Sequence, residues 1–128
     1  MRVRHLLVLL ALFCVACASG GGSRRSGNPS LLSEDELHEP SVAQMNLYEA
    51  VNRLRPSWLR ARAASSLGSG GDVYPKAIVD NVAQSLDLLR SIKAQEVLEA
   101  QYISASDATT RFGTGYPNGA ILVMMRRR

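Results

Sequence analysis

Histidine, a common catalytic base, is rare in this sequence. Its two histidines are His5 and His38, and a serine nucleophile needs a neighbouring base and a third group that orients that base. His38 lies in a run of polar and acidic residues, where we predict that it is exposed to solvent. A single histidine beside acids also lacks the ligand number of a usual metal site. The sequence therefore favours a protein without nucleophilic catalysis and without a metal site.

The carboxylates lead to the same interpretation. Glu96 and Glu99 are three positions apart on a predicted strand, so their side chains should point to opposite faces and should not converge on one substrate bond. Asp80 fits a turn, and Asp107 fits the start of a helix. We therefore predict no catalytic residues, no cofactor and no enzyme activity.

Two glycine-containing stretches have the composition of ligand loops. Gly68-Ser-Gly-Gly71 has no Lys-Ser or Lys-Thr after it and leads into a predicted strand, whereas a phosphate loop opens a helix. In the second stretch, Gly113 follows a short predicted helix, where the chain needs a residue that tolerates positive φ. Asn118-Gly119 then permits a sharp turn into an apolar strand. We interpret both stretches as loops that the path of the backbone requires rather than as ligand-binding loops.

The charge of the chain argues against one class of partner. The formal net charge is +4, but Arg2 and Arg4 belong to a predicted leader, and the remaining 13 basic and 11 acidic residues give +2. This excess is too small to indicate nucleic-acid binding. The basic residues at 53–62 and 126–128 are interpreted as solvated faces.

The first residues predict export. A short cationic start, Met1 to His5, precedes an apolar run of ten residues from Leu6 to Val15, and small residues follow. This is the layout of a secretory signal, and the apolar run is shorter than the roughly 20 residues that span a bilayer. We predict a signal peptide at residues 1–16.

Cys14-Val-Ala-Cys17 resembles a bacterial lipobox, in which the last cysteine is acylated and becomes the new N-terminus. The resemblance implies lipidation of Cys17, although Cys14 stands where the family usually has leucine. Ala18 is not the aspartate that is associated with retention in the inner membrane, so the resemblance favours the outer membrane. Cleavage after Ala18, giving a secreted or periplasmic protein, is the alternative. Neither route leaves a disulfide in the mature chain.

Residues 17–40 are predicted to form a flexible tether. The stretch at 20–29 is made of Gly, Ser, Arg, Asn and Pro and cannot bury a core. Ser33 and Glu36 have the spacing of a capping box, which either forms a short helical turn or becomes ordered only against a partner.

Residues 41–128 are predicted to form a small α+β domain with a mixed sheet of about three to five short strands and two or three short helices. Apolar residues at helical spacing predict a helix from Ser41 to Leu54, ended by Pro56, with Trp58 folding back onto the core. Strand patterns occur at 73–79, 82–84, 97–103 and 120–125, and short helical turns are predicted at 85–92 and 106–112. Asp80-Asn81 is expected to join the first two strands as a hairpin turn. The last strand is apolar on both faces, which predicts a central position.

The C-terminal half carries an ordered set of short motifs. They are Ala77-Ile-Val-Asp80, Leu89-Arg-Ser-Ile92, Glu96-Val97, Ser106-Asp-Ala108, Arg111-Phe-Gly113, Asn118-Gly119 and Ala120-Ile-Leu-Val123. Over residues 73–126 this set resembles the second half of the plug domain of TonB-dependent outer-membrane receptors. The departures are Asn81 for a glycine, Phe112 for a tyrosine, and Ser104 and Ala105 where other residues are common. The implied structural signature comprises Asp80, Asn81, Gly113, Asn118 and Gly119.

The resemblance implies a plug-like domain, but a receptor also needs a β-barrel of several hundred residues, and the sequence ends just after the plug-like strand. We therefore expect an interaction or accessory module of the outer membrane. Its membrane attachment would be the acylated Cys17, and its partner an outer-membrane or periplasmic protein. The alternative is an exported domain that binds a small ligand or a glycan. A receptor fragment without a role is a third interpretation.

Overall fold

The computed structural model describes residues 27–61 and 74–127. The predicted signal peptide, Cys17 and the first part of the predicted tether, residues 17–26, lie outside these ranges. The described chain is a small α+β domain with three α-helices and a five-stranded mixed sheet, which confirms the predicted fold class. No helix in the described ranges combines the length and the apolar character that crossing a membrane requires.

The helices and strands mostly occupy their predicted positions. The strands are β1 (Leu31–Leu32), β2 (Lys76–Val79), β3 (Val82–Gln84), β4 (Val97–Ile103) and β5 (Ala120–Met125). The α-helices are α1 (Glu34–Leu37), α2 (Leu47–Leu54) and α3 (Ala105–Phe112). Three 3-10 helices occur at Pro56–Leu59, Leu86–Arg90 and Ala94–Glu96.

The order of the strands across the sheet is β1-β4-β5-β2-β3. β5 is therefore the central strand, as its apolar pattern predicts, and it pairs antiparallel with β4 and parallel with β2. One of its faces is covered, since Ile121 and Val123 belong to a core under α2 and the first 3-10 helix. On the other face Ala120 and part of Leu122 pack under α3, whereas Met124 is exposed.

Helix α2 begins later than predicted. The residues from Ser41 to Met45 form turns, in which the N–H groups of Val42 and Ala43 both donate to the carbonyl of Glu39 at 2.8 Å. Asn46 is the N-cap, because its side chain accepts a hydrogen bond from the N–H of Glu49 at 2.9 Å. Asparagine is a favoured N-cap residue, and the turns from Ser41 to Met45 place it at the start of the helix.

The predicted flexible tether is wrong for residues 27–40. Leu32 and Leu37 are fully buried in the main core, and β1 pairs with β4, with the N–H of Tyr102 donating to the carbonyl of Ser30 at 2.9 Å. The indole of Trp58 donates to the carbonyl of Pro29 at 3.1 Å. The burial of these two leucines, five positions apart, stabilises this short polar segment against the main core. The overall composition of the segment is polar and does not indicate that burial.

Helix α1 owes its start to the predicted capping box. The N–H of Ser33 donates to Oε2 of Glu36 at 3.3 Å, so the backbone of this single turn is tied to a side chain three positions later. Glu36 is itself only 5% exposed. Its carboxylate faces the interior of the domain, where Arg55 meets it.

Arg55 and Glu36 form a buried ion pair between α1 and the end of α2. Nη2 of Arg55 donates to both carboxylate oxygens of Glu36, at 3.0 and 3.3 Å, and to the carbonyl of Leu31 at 3.0 Å. Nη1 donates to the carbonyl of Leu54 at 3.1 Å. A single guanidinium thus joins the first strand, the first helix and the second helix.

We predict that Glu36→Leu lowers the free energy of unfolding by about 3–5 kcal/mol, because it leaves the buried guanidinium of Arg55 without its counter-charge. Urea unfolding followed by tryptophan fluorescence measures the change. The double variant Glu36→Leu/Arg55→Met should lose less stability than the sum of the single variants, since no buried charge is then left unpaired. Arg53→Met, an exposed position on the same helix, is the matched control and should change stability by less than about 0.5 kcal/mol. Additive losses would contradict the coupling.

Candidate functional site

The residues of the predicted plug signature lie at two separate ends of one strand pair. Because β2 and β5 run parallel, the turn that follows β2 lies near the end of β5, whereas Asn118-Gly119 lies near the beginning of both strands. The signature residues therefore do not converge on one site. Each group secures one end of the central strands.

At the first end, Asp80 and Asn81 both have positive φ, 45° and 69°. They form the two-residue turn between β2 and β3, in which Val79 pairs with Val82. Such turns require positive φ at both central residues. Asp80 also holds β5, because its Oδ1 accepts from the N–H of Met125 at 3.1 Å and its own N–H donates to the carbonyl of Val123 at 3.1 Å. The sequence indicated the turn but not this second contact.

At the second end, α3 stops at Gly113, which has a φ of 86°. The chain then turns at Asn118-Gly119, where the N–H of Gly119 donates to the carbonyl of Tyr116 at 3.1 Å. The hydroxyl of Tyr102 donates to the carbonyl of Asn118 at 3.1 Å. This loop packs on β4, and its glycines adopt the backbone conformations that the turns require.

Gly113 and Gly119 differ in the space around them. A Cβ on Gly119 would lie 2.4 Å from the carbonyl oxygen of Ile103 and 2.8 Å from the hydroxyl of Tyr102. A Cβ on Gly113 would have no heavy atom within 4 Å. Both have positive φ, so only Gly119 combines backbone strain with a collision against the neighbouring strand.

The other residues that the sequence analysis considered do not form a reaction centre. His38 is half-buried rather than exposed: its Nδ1 lies 3.7 Å from Oε1 of Glu34 and 3.3 Å from Nη2 of Arg126, which also contacts Glu34. Glu96 accepts from the N–H of Lys93 at 3.4 Å. Asp107 bonds to Ser104 at the start of α3. Residues 27–61 and 74–127 contain no group of three or more His, Cys, Asp or Glu side chains that would hold a metal ion.

The described domain has an open groove that sequence reasoning missed. Its volume is about 670 Å³, and it lies between α2, the 3-10 helix Leu86–Arg90 and the β2–β3 hairpin. Its polar and aromatic lining residues are Tyr48, Tyr74, Lys76, Gln84, Ser85, Asp87 and Arg90. These residues come from three separate segments, so no local sequence pattern brings them together. The one local signal was that Tyr48 falls outside the apolar stripe of α2.

Two interactions organise this groove. The guanidinium of Arg90 lies over the ring of Tyr48, 3.8 Å from the ring centroid, in a cation–π arrangement. Nε of Arg90 donates to Oδ1 of Asp87 at 3.4 Å. Tyr74 is 51% exposed. The groove thus presents aromatic surface and a positioned cation to solvent.

A second concave region, also of about 670 Å³, lies beside His38 and Arg126 and extends to Gln95 and Glu96. Nε2 of His38 is buried and has no hydrogen-bond partner. Its lining has no tyrosine, tryptophan or phenylalanine side chain.

Comparison with known proteins identifies the fold but not a family. No protein-family model matches the chain, and no curated protein matches its sequence. A search of solved structures finds a similar fold in a chain of the RagAB peptide importer, in the structure of its 'open-open' state. The TM-score is 0.51 and the sequence identity is 18%, and the match covers 81% of this chain and 12% of the importer chain. At this identity the likeness shows the fold alone, and it supports a related plug-like fold.

We predict that Gly119→Ala destabilises the domain much more than Gly113→Ala does. At Gly113 the cost is backbone strain alone, about 1–3 kcal/mol, because a methyl group meets no neighbour. At Gly119 the methyl group must in addition displace the carbonyl of Ile103 and the ring of Tyr102. Thermal and urea unfolding of the two variants measures the difference. Equal losses would mean that the loop relaxes away from β4 without cost.

Proposed function

We propose that this chain is an outer-membrane lipoprotein whose plug-like domain acts as a non-enzymatic interaction or accessory module. The observation that carries the proposal is the fold likeness to part of an importer chain, which extends over 81% of this chain. The ordered motifs between residues 73 and 126 suggest the same kind of domain. The composition of the first seventeen residues supports the location.

A binding role fits the described side chains better than catalysis does. The histidine of the described domain, His38, lies between Glu34 and Arg126, and no serine or threonine hydroxyl is placed against it among the described contacts. Nucleophilic catalysis needs that contact. The buried guanidinium of Arg55 donates to the carboxylate of Glu36 and to the backbone carbonyl of Leu31, which supports a structural use.

The proposed anchor limits where the domain would act. Cys17 and Gly27, the first described residue, are ten positions apart, and a fully extended chain of that length reaches about 35 Å at most. Lipid chains hold a protein by about 0.8 kcal/mol per buried methylene, so several chains make the attachment durable. The domain would then bind its partner within reach of the membrane surface.

A second candidate function is the binding of a small ligand or a glycan by an exported domain. The groove favours this candidate, because Tyr48 and Tyr74 line a concave surface beside a cation. Aromatic side chains with a few polar groups are typical of small-molecule sites. The accessory role remains the preferred proposal, since the groove is open and also borders the edge of the sheet.

The anchor can be tested by metabolic labelling with an alkyne fatty acid and by mass spectrometry of the mature N-terminus. We expect a labelled protein that begins at acylated Cys17. Cys17→Ser should lose the label and leave the membrane fraction, whereas Cys14→Ser, the matched control, should keep both. A mature chain that begins at Ser19 would contradict the anchor, because cleavage after Ala18 removes Cys17.

The interaction role can be tested by affinity capture of a C-terminally tagged full chain from detergent-solubilised membranes. We expect a defined outer-membrane or periplasmic protein in stoichiometric amount. Cys17→Ser should recover the same protein when it is added after solubilisation, since the folded domain makes the contact. If the wild-type chain recovers no protein while a glycan or small molecule raises its melting temperature, the second candidate function replaces the first.

A further inference from the structure

The two edge strands of the sheet differ in whether their outward-pointing backbone groups have hydrogen-bond partners. At the β1 edge, Leu31 lies opposite Gln101 at a position where its N–H and C=O point away from β4. Both groups have partners: the N–H donates to the carbonyl of Asn28 at 3.2 Å, and the carbonyl accepts from Nη2 of Arg55 at 3.0 Å. An edge whose backbone groups are occupied does not pair with another strand.

At the other edge, β3 has backbone N–H and C=O groups that point away from its partner strand. Val79 and Val82 flank the two-residue turn and Ala77 pairs with Gln84, so Ala83 occupies the position between two hydrogen-bonded pairs. In such a hairpin the N–H and C=O of that middle residue point away from the partner strand. All three residues of β3 are exposed, and the described ranges place no strand beyond it.

The groove continues from this edge. Ala83, Gln84 and Ser85 line it together with Asp87 and Arg90. A chain that pairs with Ala83 would therefore run alongside the positioned guanidinium of Arg90. The edge supplies main-chain hydrogen bonds, and the groove supplies side-chain contacts.

The surroundings of Arg90 favour the binding of a carboxylate by its guanidinium. Its guanidinium is stacked on Tyr48, and its Nε bonds to Asp87, whereas its terminal amino groups have no acceptor among the described contacts. A planar guanidinium held in this way loses little freedom when it binds a carboxylate through two hydrogen bonds. Lys76 also lines the groove, but its Nζ lies 5.7 Å from the centroid of the Tyr116 ring. The guanidinium of Arg90 is therefore the cation that would bind an anionic group in the groove.

We propose that the β3 edge and the adjoining groove bind an extended peptide segment that carries a carboxylate side chain. The segment adds to the sheet as a strand through the N–H and C=O of Ala83, and its carboxylate binds the guanidinium of Arg90. Strand addition of this kind gives affinity through the main chain and specificity through side-chain pockets. The proposal rests on the proposed interaction role and names the chemistry of the partner.

The test uses two synthetic peptides with blocked ends, Thr-Val-Thr-Val-Glu-Thr-Val and the same sequence with Gln in place of Glu, each carrying a fluorophore. Fluorescence anisotropy with the folded full chain should give about tenfold tighter binding of the Glu peptide, as expected for a charge-assisted hydrogen bond. Arg90→Gln should abolish this preference. Arg111→Gln, which removes an exposed cation of α3, is the matched control and should keep it. Equal affinity of the wild-type chain for the two peptides would overturn the carboxylate contact.

Strand pairing is tested separately. Ala83→Pro removes the outward N–H and should weaken both peptides about tenfold, while the hairpin bonds of Val79 and Val82 stay in place. If this variant does not fold, a Glu peptide with alternate N-methylated amides gives the same test on the wild-type chain and should lose binding. Undiminished binding of the N-methylated peptide, or no binding of the Glu peptide at millimolar concentration, would overturn the proposal.

The result can be separated from the proposed function by capture from membranes with the Arg90→Gln chain. Undiminished recovery of the wild-type partner would overturn this surface as the binding site and leave the interaction role intact. Peptide binding with the expected preference, but without any captured protein, would support the surface and count against the interaction role.

Discussion

The fold depends on a single buried guanidinium. Arg55 contacts the carboxylate of Glu36 and the carbonyls of Leu31 and Leu54, so it joins the first strand, the first helix and the second helix. A buried ion pair is seldom worth more than an apolar replacement, but it is expensive to break. Its value here is therefore positional: it fixes the segment before α2 in one register against β4.

The central strand pair needs a comparable constraint at each end. Asp80 bonds to the backbone of β5 beyond its own turn, and Gly119 lets the loop approach the carbonyl of Ile103. Parallel strands cannot be joined by a tight turn, so contacts at the strand ends add to the ladder that holds β2 and β5 in register. The five signature residues Asp80, Asn81, Gly113, Asn118 and Gly119 accordingly lie at the ends of helices and strands rather than within them.

Much of this fold follows from local pattern. The strands from Val97 to Ile103 and from Ala120 to Met125 occur as predicted. The second is a short continuous apolar run that follows Gly119, and the first is rich in apolar residues and ends before Ser104. The ordered structure of residues 27–40 does not follow from composition. It depends on two buried leucines and on a carboxylate whose partner lies 19 positions away. The groove was missed for the same reason. Tyr48 and Arg90 meet only after α2 packs on the second 3-10 helix, and no local pattern encodes that meeting.

The register of β1 has a consequence for the order of folding. Leu31 pairs with Gln101, about 70 positions away, whereas Arg55 reaches Glu36 across only 19. Closing the shorter loop costs less entropy, and distant pairings form slowly. Loop-closure entropy therefore favours the contact between Arg55 and Glu36 over the pairing of β1 with β4 at the start of folding. An ion pair formed early would hold Leu32 and Leu37 near the second helix before β4 is in place.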